Sequence, residues 1–128
     1  MSYQFIFDLS NYDNFDTEDY YVSSSNKDAA SLINIFPKWH NNGAVIIGSL
    51  KSGKTHLAHI WKSKSNAKLY NFDNGIDLNS IDIKQNSVFD NFNLIDEAEE
   101  KVFFQIYNDI INNNNFILFL INTQNANK

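Results

Sequence analysis

The sequence predicts an α/β fold in which a parallel β-sheet lies between two layers of helices, a three-layer αβα sandwich. Short apolar runs of strand length alternate along the 128 residues with amphipathic helical segments. The run 116–121 is apolar throughout, as expected for a central parallel strand that helices cover on both faces. Strands of such a sheet are joined by right-handed helical crossovers.

The order of the elements follows from local patterns. Residues 1–20 are predicted to form an extended arm, because they lack helical periodicity. A helix is predicted from about Lys27 to Phe36, where apolar residues recur at helical spacing; Asn26 can cap this helix, and Pro37 stops it. Four strands are predicted, at 44–47, 68–72, 86–90 and 116–121.

One run has the spacing of a phosphate-binding loop. Residues 48–55 match G-x-x-x-x-G-K-T between the strand at 44–47 and an amphipathic helix, which predicts a nucleotide-binding P-loop. Backbone N–H groups would close around the phosphates, Lys54 would reach the β- and γ-phosphates, and the Thr55 hydroxyl would ligate Mg²⁺. The candidate binding residues are Gly48, Ser49, Leu50, Lys51, Ser52, Gly53, Lys54 and Thr55.

A P-loop enzyme also needs a carboxylate at the end of a strand to hold Mg²⁺. Asp90 follows the apolar pair Val88 and Phe89, whereas Asp96 follows Leu94 and Ile95. Asp96 also precedes a helix predicted over 97–111 and has a glutamate three residues on, the pattern of an N-cap with a capping box. The sequence therefore favours Asp90 as the metal-side carboxylate, with Asp96 as the alternative.

Two further candidates concern turnover of the nucleotide. Asn91 stands where a second acid is often found, and a neutral amide can position water but cannot accept a proton. The sequence therefore predicts weak or absent ATP hydrolysis. Asn122 or Thr123, after the last strand, can contact the γ-phosphate or the attacking water, although an ordinary polar residue at a strand end fits the sequence equally well.

Composition excludes several classes of function. A net charge of −5 argues against direct binding of nucleic acid, which rests on clustered cations. The absence of cysteine excludes disulfides and thiolate chemistry. All ten basic residues are lysines, so the chain cannot supply an arginine finger. No apolar run has membrane-spanning length and no secretory signal is present, so a cytoplasmic protein is expected.

The region around the P-loop resembles the DnaA/Hda family of AAA+ proteins, and the resemblance runs nearly end to end. Phe36-Pro-Lys-Trp39 leads through the strand at 44–47 into the P-loop and the helix up to Trp61, much as in the Walker A region of that family. The resemblance implies an AAA+-like P-loop NTPase fold that binds ATP or ADP with Mg²⁺.

Other segments fit the same family. Asp19-Tyr-Tyr-Val22 is similar to the segment beside the adenine, although Ser23 replaces a usual glycine. Asp90 and Asn91 resemble the Walker B pair of some members, which supports Asp90 over Asp96. Asn122 and Thr123 fall at the position called sensor 1.

The first residues resemble a peptide with which members of this family bind the β sliding clamp. Gln4 would supply hydrogen bonds, and Phe7 with Leu9 would supply apolar anchors. Phenylalanines, Phe5 among them, replace the usual leucines. An edge strand of the domain is the alternative for residues 4–9.

The resemblance also implies a function and a departure from the family. It implies regulation of replication initiation through DnaA and the sliding clamp, with AAA+-type self-association. Family members continue into a fifth strand, an arginine finger and a helical lid, and this chain has neither the length nor any arginine. Residues 21–128 would then be a partial AAA+ domain, truncated before the fifth strand. The alternatives are an autonomous P-loop ATPase or kinase, and a non-catalytic remnant that needs a second chain.

Overall fold

A computed structural model describes residues 21–23, 26–48 and 53–122, and these form a parallel β-sheet with helices on both faces. Strands and helices alternate along the chain as the sequence predicts, except between the third and fourth strands, where 3₁₀ turns stand in place of the expected helix. In chain order they are β1 (Tyr21–Ser23), α1 (Asn26–Ile35), β2 (Gly43–Gly48), α2 (Lys54–Ser65), β3 (Lys68–Asn71), β4 (Ser87–Asp90), α3 (Glu97–Asn112) and β5 (Ile117–Asn122). Short 3₁₀ turns occupy His40–Asn42, Phe72–Asn74 and Leu78–Ser80.

The order of strands across the sheet is β1-β2-β5-β4-β3, and every pair is parallel. Strand β5 therefore lies in the middle, where Phe119 pairs with Val45 on one side and with Phe89 on the other. Residues Ile117 to Ile121 are all buried, which confirms the prediction of a central strand covered on both faces. Because all strands run in one direction, their carboxyl ends lie along one edge of the sheet.

Two apolar cores hold the three layers together. On one face of the sheet, alternate strand residues pack against α3, and the rings of Phe89 and Phe119 are 5.7 Å apart there. On the other face the strands pack against α1 and α2, and Trp39 stacks on Trp61 at 5.1 Å. Burial of large aromatic side chains contributes most of the apolar area in such small domains. The predicted three-layer α/β arrangement is confirmed.

Where bounds were predicted, the helices and strands differ from them by at most one residue at each end. Helix α1 begins at Asn26 and ends at Ile35, and α3 extends one residue further than predicted, to Asn112. Strand β3 ends at Asn71, because the next three residues form a 3₁₀ turn that the Asn71 side chain caps. Strand β1 was not among the four predicted strands, since three residues are too few to show a period of two. The predicted arm at 1–20 lies outside the described residues.

Candidate functional site

The ends of the predicted P-loop have the geometry that the motif requires. Strand β2 ends at Gly48, and α2 begins at Lys54 directly after Gly53. Gly53 has φ 87° and ψ 5°, a left-handed conformation that glycine adopts without steric cost. The N-cap residue of α2 is Gly53 itself, which has no side chain that could accept a hydrogen bond from the amides of the first turn. Residues 49–52 of the loop lie outside the described part of the chain.

Two buried charges of opposite sign meet at this point. Lys54, the first residue of α2, is 2% exposed, and Asp90, the last residue of β4, is 7% exposed. Burial lowers the pKa of Lys54, and the attraction of Asp90 opposes that shift. Burial likewise raises the pKa of Asp90, against a hydrogen bond from the backbone N–H of Asn91 and the attraction of Lys54. Desolvated titratable groups of this kind are characteristic of functional sites.

Strand β5 brings a third polar residue to the same edge. Asn122, the last residue of β5, pairs with Gly48 in the sheet register. Its Oδ1 atom is buried and has no hydrogen-bond partner among the residues that the structure describes. A buried acceptor without a donor is costly, so this position favours a ligand or water that donates a hydrogen bond. The neighbouring candidate, Thr123, lies outside the described residues.

These polar residues share the face of the sheet that α2 covers. Leu69, Val88 and Leu120 belong to the core beneath α1 and α2. Side chains two residues apart on a strand point to the same side, which places Asn71, Asp90 and Asn122 on that face as well. The carboxyl ends of three strands therefore carry polar groups on the face of the sheet that α2 covers.

Asn91 is anchored by a residue that sequence reasoning missed. Its backbone is left-handed, with φ 53°, a conformation that asparagine tolerates better than most residues. The Asn91 Nδ2 group donates a hydrogen bond of 3.1 Å to Asn71 Oδ1, which also accepts one of 2.9 Å from the backbone of Asp73. Asn71 pairs with Asp90 across β3 and β4. The amide of Asn91 is therefore held towards β3.

Two more charged residues act on Asp90. Asp73 repels the Asp90 carboxylate and raises its pKa, whereas His59 on α2 attracts it. Neither residue was a candidate from sequence. Exposed histidines on helices and aspartates in turns are common in proteins without any functional role. No local sequence pattern therefore marks these two residues as part of a site.

The alternative carboxylate, Asp96, has a structural role. It is exposed and caps α3, since its Oδ1 accepts a hydrogen bond of 2.9 Å from the backbone of Glu99. The Glu99 side chain in turn accepts one of 2.8 Å from the backbone of Ile95, one residue before the cap. The N-cap role predicted for Asp96 is therefore observed. In a standard capping box the Glu99 side chain would accept from the backbone of Asp96 itself, so the reciprocal bond here is shifted by one residue.

The donor set around Lys54 suits Mg²⁺ held jointly with phosphate. Within residues 21–23, 26–48 and 53–122, no three histidine, aspartate or glutamate side chains form a group that could hold a metal ion by themselves. Mg²⁺ with a nucleotide needs fewer protein ligands, commonly one or two, because phosphates and waters complete its coordination. Thr55, exposed on the first turn of α2, and Asp90 are the residues that could serve.

The chain was compared with known proteins. No family model matches it, and no curated protein or solved structure is significantly similar to it. None of the helices in the described part of the chain combines the length and the apolar composition that crossing a membrane requires.

The raised pKa of Asp90 leads to a stability prediction. A carboxylate whose pKa is higher in the folded than in the unfolded state destabilises the fold when ionised, and this cost disappears as pH falls through the folded-state pKa. We therefore expect Asp90→Asn to raise the melting temperature of the ligand-free protein at pH 7 by a few degrees. The gain should shrink in acid, where Asp90 itself becomes protonated.

Asp96→Ala is the matched control, because it removes a carboxylate that stabilises a helix. We expect this variant to lose about 1 kcal/mol of unfolding free energy, the usual contribution of an N-cap. Urea denaturation of both variants measures the two effects. A loss of stability in Asp90→Asn at pH 7 would show that attraction to Lys54 outweighs the cost of burying Asp90.

Proposed function

We propose that this α/β domain binds an adenine nucleotide with Mg²⁺ at the carboxyl edge of its sheet. The observation that carries the proposal is the buried pair Lys54 and Asp90 beside Gly48 and Gly53, the two glycines of a complete P-loop motif. A lysine and a carboxylate are seldom buried without a ligand or partner that uses them. The unpartnered Asn122 Oδ1 at the same edge supports a bound group there.

The roles of the residues follow from their chemistry. The Lys54 ammonium would bind phosphate oxygens, which would then compete with Asp90 for its charge. The amides at the N-terminus of α2, where the N-cap is a glycine without a side chain, would donate hydrogen bonds to the same phosphates. Thr55 and Asp90 would hold Mg²⁺, which neutralises phosphate charge when bound. Asn122 would donate through Nδ2 to the terminal phosphate, or accept through Oδ1 a hydrogen bond from a water. Each role uses a group that lies at the carboxyl edge of the sheet.

Binding, rather than turnover, is the proposed activity of the isolated chain. The residue after Asp90 is Asn91, and its side-chain amide is not basic enough to take a proton from an attacking water. The sequence also contains no arginine to stabilise the transition-state charge. A site with these features would sense nucleotide.

The cellular role that we propose rests on the sequence resemblance. It is an Hda-like regulation of replication initiation, in which the nucleotide-binding domain acts on DnaA while residues 4–9 bind the β sliding clamp. The clamp peptide lies outside the described residues, so its support is the sequence alone.

Lys54→Ala tests nucleotide binding. Ligand at a hundred times its dissociation constant stabilises a folded protein by about 2.7 kcal/mol, so Mg²⁺ with ADP or ATP should raise the melting temperature of the wild type. The variant should lose this response. Lys101→Ala, which removes an exposed lysine on α3, should keep it. Equal responses in all three proteins, or no response in the wild type, would refute the proposed site.

Gln4→Ala tests the partner. We expect wild-type protein at micromolar concentration to be retained by immobilised β sliding clamp, and the variant to be retained several-fold less, since Gln4 would supply the polar contacts of a short peptide in a groove. Surface plasmon resonance gives both affinities. Absence of clamp binding by the wild type would remove this partner without affecting nucleotide binding.

A further inference from the structure

The chain contains two Asn-Gly pairs, and the structure places them in opposite surroundings. Gly43 is buried at the start of β2, where it pairs with Ile117 of the central strand, and Asn42 before it donates a hydrogen bond to the backbone of Asn115. Gly75 is exposed, has φ +72°, and has open space around it: a Cβ added there would meet no atom within 4 Å. The two pairs therefore differ in access to their backbones.

Asn-Gly pairs carry a specific chemistry. The backbone nitrogen of the glycine attacks the side-chain carbonyl carbon of the asparagine, a five-membered succinimide forms, and ammonia leaves. Water then opens the ring at either carbonyl, which gives aspartate or isoaspartate. Glycine permits this attack because it has no side chain to obstruct it and tolerates the required backbone angles. Solvent water is the one co-reactant.

From this contrast we propose that Asn74-Gly75 is a site of spontaneous deamidation and isoaspartate formation, and that Asn42-Gly43 is protected by the sheet. The Gly75 N–H donates a long hydrogen bond of 3.3 Å to the carbonyl of Phe72. A bond of this length is weak, so it restrains the Gly75 nitrogen little. Attack at Gly43 requires local opening of β2, and the free energy of such opening slows the reaction tenfold for every 1.4 kcal/mol.

The position of Asn74 connects this chemistry to the candidate site. The 3₁₀ turn Phe72–Asn74 is capped by Asn71, the residue that also holds Asn91. Asp73 in this turn already repels Asp90. Conversion of Asn74 adds a second negative charge beside Asp73, and isoaspartate also lengthens the backbone of the turn. The modified protein binds anionic ligands less tightly, a consequence that rests on the proposed nucleotide function.

Peptide mapping tests the modification directly. The wild-type protein is incubated at pH 8 and 37 °C and digested with trypsin, which releases residues 69–84 and 39–51 as separate peptides. We expect the deamidated fraction of 69–84 to grow at least about tenfold faster than that of 39–51, because only the latter requires the sheet to open. In denaturing urea the two rates should converge.

A variant pair tests the consequence. Asn74→Gln should stop modification of peptide 69–84 at this position. Asn74→Asp should reproduce the added charge and lower ADP affinity by about twofold or more, because like charges repel. Equal rates for the two peptides in the folded protein would overturn the modification site. Equal ADP affinity in the two variants would overturn the proposed effect of the modification on ligand binding. Absence of ADP binding in both variants would count against the proposed function, and the peptide-mapping result would still stand.

Discussion

The candidate site depends on the burial of Lys54 and Asp90 at one edge of the sheet. Each charge loses its water when the chain folds, and for each group this loss outweighs the attraction of the other. Burying a charge is costly even when an opposite charge is near. The pair is thus costly to the fold, and a phosphate with a metal ion is the kind of ligand that would compensate both charges.

The order of strands in the sheet determines where Lys54 and Asp90 lie relative to each other. Strands β2 and β4 are not neighbours, because β5 lies between them. The apolar run of β5 fills the centre of the domain from Ile117 to Ile121, and its first polar residue, Asn122, comes at the edge where β2 gives way to the P-loop. The strand at the centre of the core therefore also separates the end of β2, where the P-loop motif begins, from Asp90 at the end of β4.

The parts of this arrangement that are local in sequence could be predicted from it. The P-loop motif is contiguous, and Asp90 stands at the end of a short apolar run, so the sequence alone is enough to predict both as candidates. Strand β1 was missed because three residues carry no periodicity. Asn71 was missed because its role depends on the pairing of β3 with β4 and on the left-handed backbone of Asn91, neither of which has a pattern within the chain. Hydrogen bonds between residues twenty positions apart become visible only in the folded protein.

A crystal structure of the protein with Mg²⁺ and ADP would test the central claim most directly. We expect the phosphates to lie between Gly48 and the first turn of α2, with Lys54 Nζ about 3 Å from a phosphate oxygen and the metal ion between Thr55 and Asp90. A nucleotide bound elsewhere, with neither Lys54 nor Asp90 in contact with the phosphates or the metal ion, would contradict this proposal.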